Sequence, residues 1–156
     1  MKKQFVILLI CACIYAGMRE KKPIESVAVI AIVGMYLVSA IDKLISISDN
    51  PMGGDDTERL KKKYSLSKAG KKISKLVDRF AGPVVIIGGL IEFAGSVGLL
   101  YGYFRGDKKI RQASVATLIV FTILATLMFY ANPIVGYRAL PIVSNINAMG
   151  GLLSLF

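Results

Sequence analysis

Three long apolar runs, 26–47, 80–104 and 113–131, constrain this chain more than any other feature of its sequence. Each reaches or nearly reaches the roughly 20 residues a helix needs to cross the hydrocarbon of a bilayer. A soluble domain of 156 residues has too little interior to enclose them all. Lipid is the simpler solvent. Within lipid, backbone polar groups must be satisfied inside their own segment, so each run is predicted to be helical. The expected class is all-α: a polytopic transmembrane helix bundle. A further stretch, from about Ala139 to Phe156, is slightly short for a span, and Phe5 to Met18 is shorter still.

Phe5 to Met18 follows Lys2 and Lys3 and resembles a signal peptide, with Ile14-Tyr15-Ala16 as a tolerable cleavage site. Lys3 and Arg19 can instead snorkel to the two interfaces, and we expect a retained, short N-terminal helix. Residues 1–25 then form that helix and its linker, and residues 26–156 the main membrane domain. Cys11 and Cys13 stand at i and i+2, on nearly opposite helix faces, and read as small apolar residues rather than a disulfide or metal pair.

Net charge is +10, from 20 Lys+Arg against 10 Asp+Glu. In a membrane chain, basic residues collect in loops and meet anionic headgroups. No nucleic-acid-binding motif accompanies them, so no nucleic-acid partner is expected. The chain contains no His, which removes histidine acid–base chemistry and the common zinc and haem ligand sets. No nucleophile–base pair, phosphate loop or metal cluster is legible. The expectation is a protein that is not an independent enzyme and holds no metal or resident cofactor.

The longest polar stretch is 48–79. It opens on Asp49-Asn50-Pro51-Met52-Gly53-Gly54-Asp55-Asp56, a loop by its turn chemistry. From Arg59 to Arg79 it carries nine basic residues. Leu60, Tyr64, Ile73, Leu76, Val77 and Phe80 recur at mostly helical spacing, which predicts an amphipathic surface helix broken near Gly70. Lys61, Lys62, Lys63, Lys68, Lys71, Lys72 and Lys75 would offer anionic lipids or an acidic partner a basic face; a solvated loop is the plain alternative. With five spans, the side holding this stretch carries twelve basic residues against seven, which would turn it toward the cytoplasm; with four spans the charge preference nearly vanishes, and the orientation stays open.

Glu92 stands near the middle of 80–104. A charge at that depth costs roughly 2.5–3.5 kcal/mol against lipid, so it should face protein. Gly88, Glu92, Gly95, Leu99 and Gly102 fall on one stripe whose small residues let a neighbouring helix approach closely. Depth alone proposes Asn145, Asn147, Thr122 and Thr126 as polar neighbours, with Glu92–Asn147 as the expected hydrogen bond. Asp42, Lys43 and Arg105 read as helix-end charges that reach the interface. Gly34 and Ser39 read as packing positions, and Pro133, Arg138 and Pro141 mark the turn into the last helix.

Taken together, Ser39-Ala40-Ile41-Asp42-Lys43-Leu44, Gly82-Pro83, the run Glu92-Phe93-Ala94-Gly95-Ser96-Val97-Gly98-Leu99-Leu100-Tyr101-Gly102 with Arg105, and Asn147-Ala148-Met149-Gly150-Gly151-Leu152-Leu153 resemble the DoxX/DoxD-like membrane family. They are more distantly similar to cargo receptors of the surfeit-4 type. The resemblance covers roughly Val27 to Phe156, and Glu92, Lys43 and Arg105 occupy positions that match the family pattern. It implies a four-helix membrane core, here with the short N-terminal helix added. Family members are associated with quinone-linked sulfur oxidation and with membrane oxidoreductase assemblies. The histidine often found after the third family helix is absent here.

Three functions are compatible with these readings. The first is a non-catalytic integral membrane subunit that anchors or scaffolds a larger assembly, either a respiratory-type complex or a viral membrane beneath a capsid. The second is a quinone-linked redox accessory subunit, with quinone near Glu92. The third is a small transporter or cargo-binding protein. The missing catalytic groups favour the first. A bacterial inner membrane, an organelle membrane and a viral inner membrane all remain compatible with the sequence.

Overall fold

A computed structural model describes residues 23–49, 55–65, 68–132, 136–137 and 139–156. The expected N-terminal helix, with Cys11 and Cys13, lies outside them. Five helices follow in order: α1 (Pro23–Asp49), α2 (Asp55–Ser65), α3 (Lys68–Arg105), α4 (Lys108–Phe129) and α5 (Ala139–Leu153). Between α4 and α5, β1 (Ala131–Asn132) pairs antiparallel with β2 (Gly136–Tyr137), Ala131 opposite Tyr137. Three helical stretches, Ser26–Ile45, Lys75–Arg105 and Lys108–Phe129, are long and apolar enough to cross a membrane. They overlap the three runs that hydropathy selects. α5, with 15 residues, is only about 22 Å long at 1.5 Å per residue, short of the roughly 30 Å hydrocarbon.

The four longest helices alternate in direction. Ser26 of α1 meets Tyr103 of α3 and Lys43 meets Glu92, so α1 and α3 run antiparallel. α3 and α4 form a tight hairpin. Gly106 sits at φ +70, the left-handed conformation that ends helices at little steric cost to glycine, and its N–H donates to the Tyr103 carbonyl at 3.3 Å. Asp107 then caps α4, accepting from the N–H groups of Lys109 at 3.0 Å and Ile110 at 3.1 Å. Replacing Asp107 by Ala is expected to cost about 1 kcal/mol, read as a lower unfolding midpoint in detergent. Asn145 to Thr126 and Gln112 to Phe156 set α5 antiparallel to α4.

The core is built from Val29, Val33, Tyr36 and Leu37 of α1, Leu99 of α3, Val115 and Leu118 of α4 and Leu152 of α5. The outer faces carry exposed Val27, Val38, Leu90, Phe93, Val97, Val120, Leu127 and Ile146 among others. A soluble monomer rarely exposes so continuous an apolar mantle. With three helices long and apolar enough to span, this surface is consistent with an integral membrane protein.

Two expectations for 48–79 need correction. The helix does not break near Gly70. Instead, α3 is continuous from Lys68, with Gly70 and Pro83 both inside it. One glycine costs a helix only about 1 kcal/mol, and α3 offsets this by packing against α1, α2 and α4. The separation falls earlier, where α2 ends at Ser65, so α2 folds back along the start of α3. α2 also docks on the bundle: Thr57 and Leu60 are buried, and the Tyr64 hydroxyl donates to the Met128 carbonyl at 3.4 Å. Lys62 and Lys75 are exposed and Lys61 is half-buried. Lys63, Lys68, Lys71 and Lys72 lie on helical backbone.

Candidate functional site

The glycine stripe faces α4. A Cβ on Gly95 would lie 2.8 Å from Leu118 Cδ2, and one on Gly102 would lie 2.6 Å from the Arg111 backbone nitrogen. Gly88 faces the Phe121 ring edge. Gly34 does not share this role, since a Cβ there meets nothing within 4 Å.

Rotating the stripe onto α4 turns Glu92 toward α1. Glu92 is 3% exposed. Lys43 Nζ donates to Glu92 Oε2 at 2.5 Å and to Ser39 Oγ at 2.9 Å. Ser39 in turn donates toward Glu92 Oε1 at 3.2 Å and Oε2 at 3.4 Å. The serine accepts from the ammonium and gives its single hydrogen to the carboxylate, which one hydroxyl can do. Lys43 Nζ also lies 5.4 Å from the Phe121 ring centroid, a favourable site for a cation. Lys43 therefore turns inward onto Glu92 and not outward from the helix end. Ser39 and Lys43 are i and i+4 on one α1 face, and antiparallel packing brings that face to the level of Glu92. Asp42 remains exposed, and so does Arg105, whose guanidinium lies 5.8 Å from the Tyr101 ring centroid.

The polar neighbours proposed from depth form a second, uncharged layer. Tyr36 and Thr122 hydroxyls are 2.7 Å apart. Thr122 gives its hydrogen to the Leu118 carbonyl at 2.7 Å, so Tyr36 is the donor. Thr126 likewise donates to the Thr122 carbonyl at 2.6 Å and accepts from Asn145 Nδ2 at 2.7 Å. Thr122, Thr126 and Asn145 are thus brought together, and Tyr36 joins them. Asn147 does not. It is exposed on α5, and Glu92 turns to Lys43 and Ser39 in place of the expected asparagine.

Both layers border one cavity of about 570 Å³. Tyr36, Ser39, Lys43, Glu92, Thr122 and Asn145 supply its polar wall, with Asp42 and Arg59 also lining it. The rest is mainly apolar, including Val84, Val85, Ile87, Ile91, Leu124 and Met128. Arg59 belongs to α2, so the basic segment contributes directly to the site, and no local sequence signal foretells that. Among the described residues, no group of three or more His, Cys, Asp or Glu is placed to hold a metal ion. Chemically, the site presents one ammonium, one carboxylate and several hydroxyls to a ligand with polar and apolar parts. Comparison with protein-family models, with curated proteins and with solved structures finds no match to this chain.

Proposed function

We propose that this chain is an integral membrane protein that binds a small amphiphilic molecule, in the transporter or cargo-binding class, on a DoxX-type four-helix core formed by α1, α3, α4 and α5. The observation that carries the reading is the Lys43–Glu92 ion pair on the wall of the cavity. A buried ion pair is weak evidence for stability, because apolar residues of similar volume usually hold a structure together as well or better. Ionisable groups inside a span instead mark ligand or ion pathways. The cavity also has the size and the mixed apolar and polar lining of a small-molecule site. The alternating helix directions, with Glu92 and Lys43 meeting, support the DoxX-type core.

The scaffold reading draws on a different observation. α5 is short and exposes Leu140, Val143, Ile146 and Leu153, a face that a neighbouring membrane subunit would cover. Anchoring needs outer faces and makes no use of a charged pair beside an internal cavity, which is why binding is preferred.

One purification separates these readings. The intact protein, extracted in mild detergent, is analysed by mass spectrometry for small molecules and proteins together. The expected result is one amphiphile in near-stoichiometric amount, lost in an Ala125→Phe variant that fills the cavity. Stoichiometric protein partners without a small molecule would establish the scaffold. A bound quinone would instead place the chain among redox accessory subunits.

A further inference from the structure

Resting on the ligand-binding reading, we infer that the cavity selects a lipid with a zwitterionic head group, one ammonium and one phosphate or carboxylate, which enters sideways from the bilayer. The first argument is charge balance. Among the described residues, the charged side chains lining the cavity are Lys43 and Arg59 against Asp42 and Glu92, two of each sign. A head group with net charge would bring an uncompensated charge into a largely apolar site, which is costly away from water. An uncharged head leaves the balance intact, but each bond it makes to Lys43 or Glu92 carries charge on one partner only. A zwitterion keeps the balance and gains charge-assisted bonds at both ends: Lys43 Nζ donates to its anionic group, and Glu92 accepts from its ammonium. Ser39, already bonded to both residues, holds the two charges at a fixed spacing.

The second argument is the position of the opening. Val84, Ile87 and Leu124 line the cavity and are also 37%, 55% and 59% exposed on the outer surface. All three lie within the apolar spans, where lipid is the surrounding medium. Toward them, backbone contact across the seam between α3 and α4 gives way to side-chain contact. A Cβ would strike backbone at Gly102, a leucine side chain at Gly95 and a phenylalanine ring edge, at 3.2 Å, at Gly88. The opening therefore faces acyl chains. A bilayer lipid can place its head on the charged pair and leave its tails outside.

The test titrates the purified full-length protein, delipidated in nonionic detergent, with phosphatidylethanolamine, phosphatidylglycerol or diacylglycerol of identical acyl chains. Bound lipid is read by native mass spectrometry, with Ala125→Phe defining what binds outside the cavity. The cavity-dependent signal is expected to favour phosphatidylethanolamine about tenfold, the worth of one charge-assisted hydrogen bond. Glu92→Gln retains an acceptor for Lys43 but leaves an excess cation, so the preference over phosphatidylglycerol should fall about tenfold. If that variant does not fold, Asp42→Asn on the exposed rim should shift selectivity in the same direction. Equal binding of all three lipids, still lost in Ala125→Phe, would overturn the zwitterion inference and leave the ligand-binding reading standing. Displacement of bound lipid by soluble phosphoethanolamine would overturn the lipid source. No lipid signal that depends on Ala125 would overturn the lipid inference, and the co-purification of a different amphiphile, or of none, then decides the ligand-binding reading.

Discussion

Replacing Lys43 by Met is expected to destabilise the bundle by about 3 kcal/mol, the lower part of the range for stripping one partner from a buried ion pair. The lower part applies because the Lys43 side chain retains 17% exposure while that of Glu92 has 4%. The loss is mainly the cost of a buried carboxylate stripped of its ammonium. Adding Glu92→Leu to the same chain should therefore restore stability to the original level or above, since a matched apolar pair carries no desolvation penalty. Unfolding in detergent of the wild type, both single variants and the double variant forms the required cycle. A double variant as unstable as Lys43→Met alone would show that the loss comes from packing around the lysine stem. A stable double variant that no longer retains the bound amphiphile would separate the pair's role in ligand recognition from its role in folding.

Replacing Gly102 by Leu is expected to cost at least about 2 kcal/mol, by overpacking. The obstruction is backbone: the Arg111 nitrogen at 2.6 Å and its Cα at 3.0 Å from the added Cβ. No rotamer change relieves such a contact, so α3 and α4 must separate along the seam. Gly34→Ala supplies the control. Its Cβ meets nothing within 4 Å, and a glycine replaced by alanine within a helix gains roughly 0.5–1 kcal/mol. Thermal unfolding of the two variants side by side should move in opposite directions. If both fall alike, close α3–α4 packing at Gly102 is not what holds this hairpin.

The same glycines show how far the sequence could be read. Gly88, Gly95 and Gly102 announce a packing stripe because helical spacing is a local property. The identity of the partner is not local. Gly34 carries the same residue type in an equally apolar helix, yet faces open space, and only the arrangement of neighbours distinguishes it. Glu92 repeats the point. Its depth and the need for a protein partner follow from position in an apolar run. Choosing Lys43 over Asn147 requires knowing which side of α3 faces α1 and how the two helices register. The place of Lys43 near the end of its own run suggests an interfacial anchor, whereas in the bundle it turns inward onto α3.

The all-helical class and the three segments long and apolar enough to span were legible in the local sequence. Hydropathy summed over some 20 residues is a large free energy that no neighbour reverses. Tertiary packing was needed to show that α2 docks at the cavity, that α3 continues through Gly70, and that Lys43, Ser39 and Glu92 meet. Each of these depends on helix rotation, register and order around the bundle. Those choices are separated by a few contacts among residues far apart in the chain, and such differences leave no periodic trace in any one segment.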